Sequence, residues 1–342
     1  MLYDFPIENL DQRYSTQWRA WFAEEYDRLG VSWLRVDPEH RPAEKIVNGQ
    51  FLDVVHTNIY KAKQLQTFLA AVAGGAVKLH DVVMLHDLWF PGLEMLFYVR
   101  DALKLPIHIC GYLHAGTYDP WDFLSRQGMN VWGRELEQSW FRGVDRIFLH
   151  SDFHERLLLS KRFVERSKIR KVGFPFRLLE PKWVIGEKKD IVVFPHRLAP
   201  EKQPEIFDTL RNELADTLPG WQFIKTQDTL RTKDEYYALL QSAKISFSAS
   251  LQETWGISMQ ESVIHGCIPV VPARLAYLDV YDKKFQYHNY EHAVTLIKQF
   301  AENYSHVVLS EEFASTGRRL REMGDGAIEK IVTEIRAFGG RC

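Results

Sequence analysis

The sequence predicts an α/β protein made of two doubly wound domains. Apolar, β-branched runs alternate along the chain with longer amphipathic stretches, and this alternation pauses once, near residues 177–190. Such alternation is typical of βαβ units, in which helices cover a parallel sheet. The 342 residues, with 46% hydrophobic composition, are sufficient for two domains that each have a core.

The first domain is predicted over residues 1–178. Its strand-like runs are LYDFPI, VSWLRV, FLDVVHT, VVMLHD, IHICGYLH and RIFLHS. Amphipathic stretches such as YSTQWRAWFAEEYDRLG and PGLEMLFYVRDALK are the helices expected between them. The polar segment 179–190, which contains a proline and a glycine, is predicted to be an interdomain linker.

The second domain is predicted over residues 191–320. It begins with the strand-like run IVVFPHRL and continues as alternating helices and strands as far as IPVVPA. The last segment, 321–342, is predicted to be a helix that packs back on the first domain. Because ligands of open parallel sheets bind outside the carboxyl ends of the strands, we expect the functional residues in the loops at those ends.

Composition argues against several classes of protein. The formal net charge is −2, so no global charge indicates nucleic-acid binding. The three cysteines are widely spaced, which argues against a zinc site or a disulfide framework. The amino-terminal sequence does not resemble a signal peptide, and the apolar runs are short for a membrane span. We therefore expect a cytoplasmic protein with no integral membrane association.

Two glutamates flank a strand-to-helix turn in the segment SASLQETWGISMQESVIHGCIPVV. Glu253 lies in the loop after a strand-like run, and Glu261 lies in the following helix, with seven residues between them. Carboxylates accept hydroxyl hydrogen bonds well, so the pair suits a sugar or ribose. Gly256 stands where the helix begins, and free backbone N–H groups there favour an anion. A helix-terminal acid and a solvated acid are the alternative interpretation.

A basic turn precedes these glutamates by about fifty residues. After the strand-like run IVVFP comes HRLAPEK, in which Arg197 and Lys202 lie just before a helix. Two fixed cations at the end of a strand can neutralise a diphosphate without a metal. An ordinary surface arginine and lysine are the alternative interpretation.

Together these motifs resemble the donor-binding domain of retaining glycosyltransferases of the GT-B fold, a large group that uses nucleotide sugars. In that group a G-R-x-x-x-E-K-like turn precedes E-x(7)-E and then G-x-P-V-V. This chain has HRLAPEK, ETWGISMQE and GCIPVV in the same order, and the similarity covers about residues 190–275. The resemblance implies two Rossmann-like doubly wound domains that face an interdomain cleft.

The resemblance implies that Arg197 and Lys202 hold the donor diphosphate. It assigns Glu253 to the hydroxyls of the transferred sugar and Glu261 to the ribose. His114, which closes IHICGYLH, resembles the active-site histidine of the group and completes a catalytic set with Arg197, Lys202 and Glu253. A core histidine with satisfied hydrogen bonds is the alternative interpretation of His114. The full donor-binding set implied by the resemblance is Arg197, Lys202, Glu253, Gly256, Ile257, Ser258 and Glu261.

The first domain resembles the same group only in part. DRIFLHSDFHERLLL and KIRKVGFPF match, but ENLDQRYSTQ replaces the glycine-rich loop that follows the first strand in the group. The acceptor is expected to bind this domain, at loops rich in aromatic and polar residues. The predicted acceptor-binding residues are Asp87, Trp89, Tyr118, Asp119 and Trp121; burial of these aromatics in the core is the alternative.

More loosely, ENLDQRYSTQW, FLDVVHTNIYKAKQL and HDLWFPGLE look like segments of glycosyltransferases encoded by tailed phages. Some of those enzymes glycosylate hydroxymethylated pyrimidines in DNA. The resemblance implies DNA with hydroxymethylated bases as a partner and the host cytoplasm as the location. A basic cluster is compatible with phosphate contacts, and a solvated helix end is its alternative interpretation. Its members are Lys161, Arg162, Arg166, Lys168, Arg170 and Lys171.

The function predicted from the sequence is that of an enzyme, a metal-independent retaining glycosyltransferase. The implied co-substrate is a UDP- or GDP-sugar, with no prosthetic group. An inverting reaction with Asp87 or Asp119 as the base is also compatible. A small-molecule, lipid or tRNA acceptor, a nucleotide-sugar epimerase and a non-catalytic binding module stay open as alternatives.

Overall fold

The computed structural model of the chain describes residues 1–9, 14–39, 53–177, 187–229 and 232–338. The chain divides into two compact units, residues 1–176 with 325–342 and residues 177–324. Each unit is built on a parallel sheet, which confirms the predicted α/β fold class. Residues 178–186, most of the predicted linker, lie outside the described residues.

The sheet of the first unit has six parallel strands in the order β2-β1-β3-β4-β5-β6. Their bounds are β1 Leu2–Phe5, β2 Trp33–Arg35, β3 Val82–Leu85, β4 His108–Tyr112, β5 Arg146–Leu149 and β6 Ile169–Lys171. The helices between these strands are α1 Ser15–Arg28, α2 Val54–Ala73, α3 Leu93–Ala102, α4 Phe123–Arg126, α5 Trp132–Gly143 and α6 Asp152–Lys161. The central strands are buried on both faces, which explains their continuous apolar runs.

The strand predicted at FLDVVHT is wrong, because most of this run belongs to α2. The Asp53 side chain accepts a hydrogen bond from the His56 backbone N–H at 2.8 Å and caps the helix. Beyond the cap, Tyr60, Gln64 and Phe68 are buried at the spacing of one helical face. The cap and this longer period outweigh the local β-branched pair.

The sheet of the second unit has five parallel strands in the order β11-β10-β9-β7-β8. Their bounds are β7 Lys189–Phe194, β8 Gln222–Lys225, β9 Ala243–Phe247, β10 Ile268–Pro272 and β11 Gln286–Tyr287. The helices are α7 Pro204–Leu214, α8 Thr226–Thr229, α9 Lys233–Ser242, α10 Ile257–Ile264, α11 Tyr277–Val280, α12 Tyr290–Glu302, α13 Tyr304–Val308 and α14 Glu311–Asp325. Because β7, β9 and β10 are parallel neighbours, the turns that follow these strands all lie at the carboxyl edge of the sheet.

The last helix, α15, covers Ala327–Phe338 and packs against α1 in the first unit. Its Glu334 forms ion pairs with Arg146 at 3.2 Å and with Arg170 at 2.9 Å. These contacts attach the end of the described chain to β5 and β6. Within the described part of the chain, no helix combines the length and the apolar composition that crossing a membrane requires.

Candidate functional site

An ion pair joins two turns at the carboxyl edge of the second sheet. Strands β7 and β9 are parallel neighbours, so the turns that follow them leave the sheet on the same side. Lys202, in the first turn, donates from Nζ to Oε2 of Glu253, in the second turn, at 2.8 Å. The same ammonium group donates to the backbone carbonyl of Gln252 at 2.5 Å. The predicted diphosphate cation and the predicted sugar carboxylate are therefore direct partners.

Arg197 lies on the same turn as Lys202 but pairs with a different carboxylate. Its Nε and Nη2 atoms donate to Oε1 of Glu201 at 3.0 and 2.5 Å. Glu201 is buried, and its backbone carbonyl accepts from the Leu251 N–H at 2.8 Å. A second bond therefore connects the two turns, and each cation lies beside an acidic partner.

Gly256 places the amino terminus of α10 at this edge. Its φ of 96° lies in the left-handed region that favours glycine. A Cβ atom at this position would lie 3.0 Å from Cε1 of Tyr277. The Tyr277 hydroxyl is hydrogen bonded to Oγ of Ser248 at 2.8 Å, which fixes the ring against the turn. Ile257 and Ser258, both partly exposed, then form the first turn of the helix.

Glu261 lies one turn further along α10 and is buried. Its two carboxylate oxygens accept from the hydroxyls of Tyr236 and Tyr237, each at 2.9 Å. Burial raises the pKa of Glu261, although Lys233 and the two hydroxyls oppose this. The predicted ribose carboxylate is therefore held by two tyrosines of α9 that the sequence analysis did not select.

His196 faces the first turn of α10 from the end of β7. Its Nδ1 atom lies 3.0 Å from Oγ of Ser258. The side chain is 3% exposed, and its buried Nε2 atom has no hydrogen-bond partner among the described residues. Burial lowers the pKa of His196 well below its ordinary value, and the charges of Lys202 and Arg197 lower it further. The imidazole is therefore neutral near pH 7.

Arg274, two residues beyond β10, is a third cation at the same edge. Its guanidinium donates to the backbone carbonyls of Ser250 at 3.0 Å and Ala249 at 2.8 Å. These bonds hold the beginning of the turn that carries Glu253. The sequence analysis missed Arg274. This residue follows the strand CIPVV just as Arg197 follows the strand IVVFP, so the same signal could have identified it.

In the first unit, His86, His114 and His150 follow the neighbouring strands β3, β4 and β5. His114 Nε2 lies 2.8 Å from the carbonyl of His86, and its Nδ1 lies 3.2 Å from the Tyr14 hydroxyl. Since a carbonyl only accepts, Nε2 carries the hydrogen and Nδ1 accepts from Tyr14. Burial lowers the pKa of His114, so this predicted catalytic residue is a neutral imidazole.

The buried carboxylate of Asp4, on β1, contacts the first of these histidines, His86. Asp4 Oδ1 lies 2.6 Å from Nε2 of His86 and accepts from the Tyr26 hydroxyl at 2.9 Å. Burial alone would raise the pKa of Asp4, but the charges of His86 and Arg35 bring it below the ordinary value. The sequence analysis did not select Asp4, which lies within an apolar strand, nor His86, although it directly follows one.

The predicted acceptor-binding residues differ in accessibility. Tyr118 is buried, and its hydroxyl lies 2.6 Å from Nε2 of His154, so for this residue the structure favours the alternative of a position in the core. Asp119 is also buried and accepts from the Trp121 backbone N–H at 2.9 Å. Asp87 pairs with Lys61 at 2.8 Å. The side chain of Trp121 is 45% exposed.

The side chain of Glu137 holds two other predicted residues, Trp89 and Arg162, in place. This fully buried carboxylate accepts from Nε1 of Trp89, at 2.9 Å, and from Nε of Arg162, also at 2.9 Å. The backbone N–H of Thr117 donates to the same carboxylate at 2.5 Å. Arg162 is buried by these contacts, so its predicted place on a basic surface is corrected. Glu137 was missed because it lies in an ordinary helical stretch.

Of the other predicted basic residues, Arg170 pairs with Glu334 and Lys171 pairs with Asp152. Lys168 donates to the backbone carbonyl of Arg142 at 2.7 Å. Lys161 and Arg166 are exposed. The structure therefore neutralises part of the cluster and leaves two of its cations at the surface.

Several solved structures share this architecture. The chain is similar to sucrose-phosphate synthase from Thermosynechococcus elongatus, with 12% identity, 98% of each chain covered and a TM-score of 0.66. It is similar to the catalytic domain of starch synthase IV from Arabidopsis thaliana bound to ADP and acarbose, with 12% identity, coverage of 99% and 98%, and a TM-score of 0.61. The fold is GT-B.

The pneumococcal O-GlcNAc transferase GtfA, in complex with UDP and GlcNAc, is a further GT-B neighbour, with 14% identity and a TM-score of 0.58. The match covers 82% of this chain and 61% of that protein, so the chain spans less than two thirds of its length. No protein-family profile matches the chain. The structural comparisons establish the GT-B fold.

Within the described part of this GT-B chain, no group of three or more His, Cys, Asp or Glu side chains is arranged to hold a metal ion. The charged groups at the edge of the second sheet are instead the three cations and the carboxylates that pair with two of them. Such an edge can bind an anion through side chains and through the N–H groups of α10.

Proposed function

We propose that the protein is a glycosyltransferase that uses a nucleotide sugar. The observation that carries this proposal is the Lys202–Glu253 ion pair of 2.8 Å at the carboxyl edge of the second sheet. It joins a turn with cations suited to a diphosphate to a turn with a carboxylate suited to sugar hydroxyls. The GT-B fold of the chain and the nucleotide complexes of two structural neighbours support the same function.

In the proposed reaction the acceptor hydroxyl attacks the anomeric carbon as the bond to the donor diphosphate breaks. Negative charge develops on the leaving diphosphate, where Arg197 and Lys202 stabilise it. The N–H groups of Ile257 and Ser258, at the positive end of α10, add to this stabilisation. With these groups supplying the positive charge, we propose that turnover needs no metal ion.

We assign the two glutamates to different parts of the donor. Glu253, beside Lys202, accepts from hydroxyls of the transferred sugar. Glu261 accepts from the ribose, with Tyr236 and Tyr237 holding its carboxylate in place. Each carboxylate oxygen can accept more than one hydrogen bond, so the tyrosine contacts leave acceptor capacity. UDP- and GDP-sugars are the donors we propose.

We propose that the reaction retains the anomeric configuration. An oxygen of the leaving diphosphate takes the proton of the acceptor hydroxyl, on the face that the diphosphate leaves. His114, a neutral imidazole with Nε2–H given to the His86 carbonyl, positions the loop after β4. Its proposed role is to hold this loop, in the unit to which the acceptor is assigned, in a fixed conformation.

For the acceptor we propose a hydroxymethylated pyrimidine in DNA. The exposed ring of Trp121 can stack on an extruded base, and the exposed Lys161 and Arg166 can contact phosphates. The remaining cations of the cluster have protein partners, so the expected dependence on salt is weaker than six free cations would give.

A donor screen tests the main proposal. UDP-, GDP- and ADP-glucose are added to the wild-type chain with and without EDTA, and the melting temperature is measured. At least one nucleotide sugar should raise the melting temperature, and Arg197→Ala should remove most of that shift. Arg211→Ala, at an exposed arginine of α7, is the matched control. A melting temperature that none of the three nucleotide sugars changes would contradict the proposal.

Sugar transfer is then measured with the nucleotide sugar that binds. The acceptors are hydroxymethylcytosine DNA, hydroxymethyluracil DNA, unmodified DNA and a panel of small molecules. Transfer to a modified DNA, weakened by salt and by Lys161→Glu with Arg166→Glu, is the expected result. Transfer to a small molecule alone would remove the DNA acceptor and leave the donor site intact.

A further inference from the structure

His196 is a buried histidine at the proposed donor site whose hydrogen bonding is incomplete. Its Nδ1 atom bonds to Ser258, but the buried Nε2 atom has no partner among the described residues. A buried polar atom without a partner costs free energy, so such atoms are rare and call for an explanation. Because Ser258 belongs to the first turn of α10, the imidazole lies at the positive end of this helix.

We infer that His196 takes up a proton when the diphosphate of a nucleotide sugar binds, and that it aims the Ser258 hydroxyl at this diphosphate. The inference rests on the proposed function and adds to it. With its hydrogen on Nδ1, neutral His196 donates to Oγ of Ser258, whose own hydrogen is then directed away from the ring. The bare Nε2 lone pair can accept a proton without breaking any hydrogen bond.

The surrounding charges explain why the proton arrives with the ligand. Besides burial, the groups that disfavour the charged imidazole are Lys202 and Arg197, both from the turn after β7. Glu253 and Glu201 are paired with these two cations. A diphosphate adds two negative charges at this cluster and reverses the balance, so the protonated imidazole becomes more favourable.

The coupling between donor binding and protonation of His196 has a definite sign. Since the pKa of His196 is low without ligand and rises when the diphosphate binds, binding takes up protons. Affinity must therefore increase as the pH falls toward the pKa of the bound state. Between pH 7.5 and pH 6.0 we expect roughly a threefold to fivefold increase in affinity if the bound-state pKa returns near its ordinary value.

Calorimetry measures the proton directly. UDP-, GDP- and ADP-glucose are titrated at pH 6.0 in two buffers of different protonation enthalpy. In these donors both phosphates are esterified, so the phosphates do not titrate near neutral pH. The expected result is an uptake of roughly 0.3 to 0.9 proton per bound donor, smaller at pH 7.5. Binding with no proton uptake would overturn the inference and leave the proposed function intact.

Two variants identify the group that takes up the proton. His196→Asn keeps a nitrogen near the position of Nδ1 for Ser258 but cannot titrate, so binding should persist without proton uptake. Ser258→Ala should weaken donor binding about tenfold to a hundredfold, as expected for the loss of one hydrogen bond to a charged group. Wild-type uptake in His196→Asn would assign the proton elsewhere and overturn the inference.

Two further results complete the test. If His196→Asn does not fold, the pH dependence of wild-type affinity decides, and an affinity that is the same at pH 6.0 and pH 7.5 overturns the inference. If the wild-type chain binds none of the three nucleotide sugars, the proposed function fails and this inference fails with it. The two failures are distinguishable, because only the second abolishes binding.

Discussion

The Nζ atom of Lys202 lies 2.8 Å from Oε2 of Glu253, and this contact joins two turns that are 51 residues apart in sequence. Both side chains are largely buried, so the pair is shielded from solvent. Breaking a buried pair from one side leaves the other charge without compensation, which is far more costly than losing a surface ion pair. The contact therefore affects both the stability of the second unit and the geometry of its candidate site.

Replacing the cation should show both effects. Lys202→Met should lower the free energy of unfolding by about 2–4 kcal/mol, because it leaves Glu253 buried without its partner. It should also weaken nucleotide-sugar binding at least tenfold, since a charge-assisted bond to the diphosphate is lost. Chemical denaturation and isothermal titration measure the two quantities.

Lys244→Met is the matched control. Lys244 pairs with Asp190 at the amino-terminal ends of β9 and β7, away from the carboxyl edge that carries Lys202. It should cost little stability and leave binding unchanged. Equal nucleotide affinity in the wild type and Lys202→Met would remove Lys202 from the donor site.

The two glutamates should differ in what they recognise. Glu253→Gln keeps an oxygen for Lys202 but weakens hydrogen bonds to sugar hydroxyls. It should reduce affinity for the nucleotide sugar about tenfold while affinity for the free nucleoside diphosphate changes less than twofold. Glu261→Gln should weaken both ligands to the same extent, since both carry ribose. Titrations of UDP and UDP-glucose, or of the pair selected by the donor screen, give the four ratios. If Glu253→Gln affects both ligands equally, the assignment of sugar and ribose is wrong.

The order of strands, turns and helices in the second unit could be predicted because its signals are local. The turn HRLAPEK and the segment from Glu253 to Glu261 each lie within one β–turn–α unit, so sequence spacing sets their positions. The first turn of α10 follows from Gly256 in the same way, because its positive φ requires a residue without a Cβ.

What could not be predicted depends on contacts that are distant in sequence. Tyr236 and Tyr237 reach Glu261 because α9 packs beside α10, 24 or more residues apart. Arginine is usually a surface residue, but Arg162 is buried because it pairs with the fully buried carboxylate of Glu137. FLDVVHT was misassigned because a β-branched pair outweighed a helix cap that only Asp53 signals.

Gly256 should tolerate no side chain. Gly256→Ala forces alanine into a left-handed conformation, which costs about 1 kcal/mol, and brings its Cβ against the Tyr277 ring. Gly220→Ala is a matched control, since Gly220 has a similar φ of 87° and no neighbouring atom within 4 Å. Both variants should lose stability, but only Gly256→Ala should also lose nucleotide affinity. Thermal melting and titration separate the two effects, and unchanged affinity in Gly256→Ala would mean that the α10 terminus does not contact the donor.

The first unit should lose stability in mild acid because of a buried histidine. His154 is fully buried, with Nε2 at 2.6 Å from the Tyr118 hydroxyl, and burial lowers its pKa to about 3. The folded state therefore keeps His154 neutral, whereas the unfolded chain takes up a proton near its ordinary pKa. Stability is complete above that value and falls as the pH drops, with a slope that approaches about 1.4 kcal/mol per pH unit.

His154→Gln isolates this histidine, because the amide can still bond to Tyr118 but does not titrate. Between pH 7.5 and pH 5.5, the wild type should lose about 1 kcal/mol more of its unfolding free energy than His154→Gln does. Urea unfolding followed by tryptophan fluorescence at several pH values gives both curves. The exposed His306, replaced by Gln, is the control and should follow the wild-type curve. The decisive quantity is the slope, since the variant itself is expected to be less stable at every pH. If the curves for His154→Gln and the wild type run parallel, the proton that destabilises the fold in acid binds at another group.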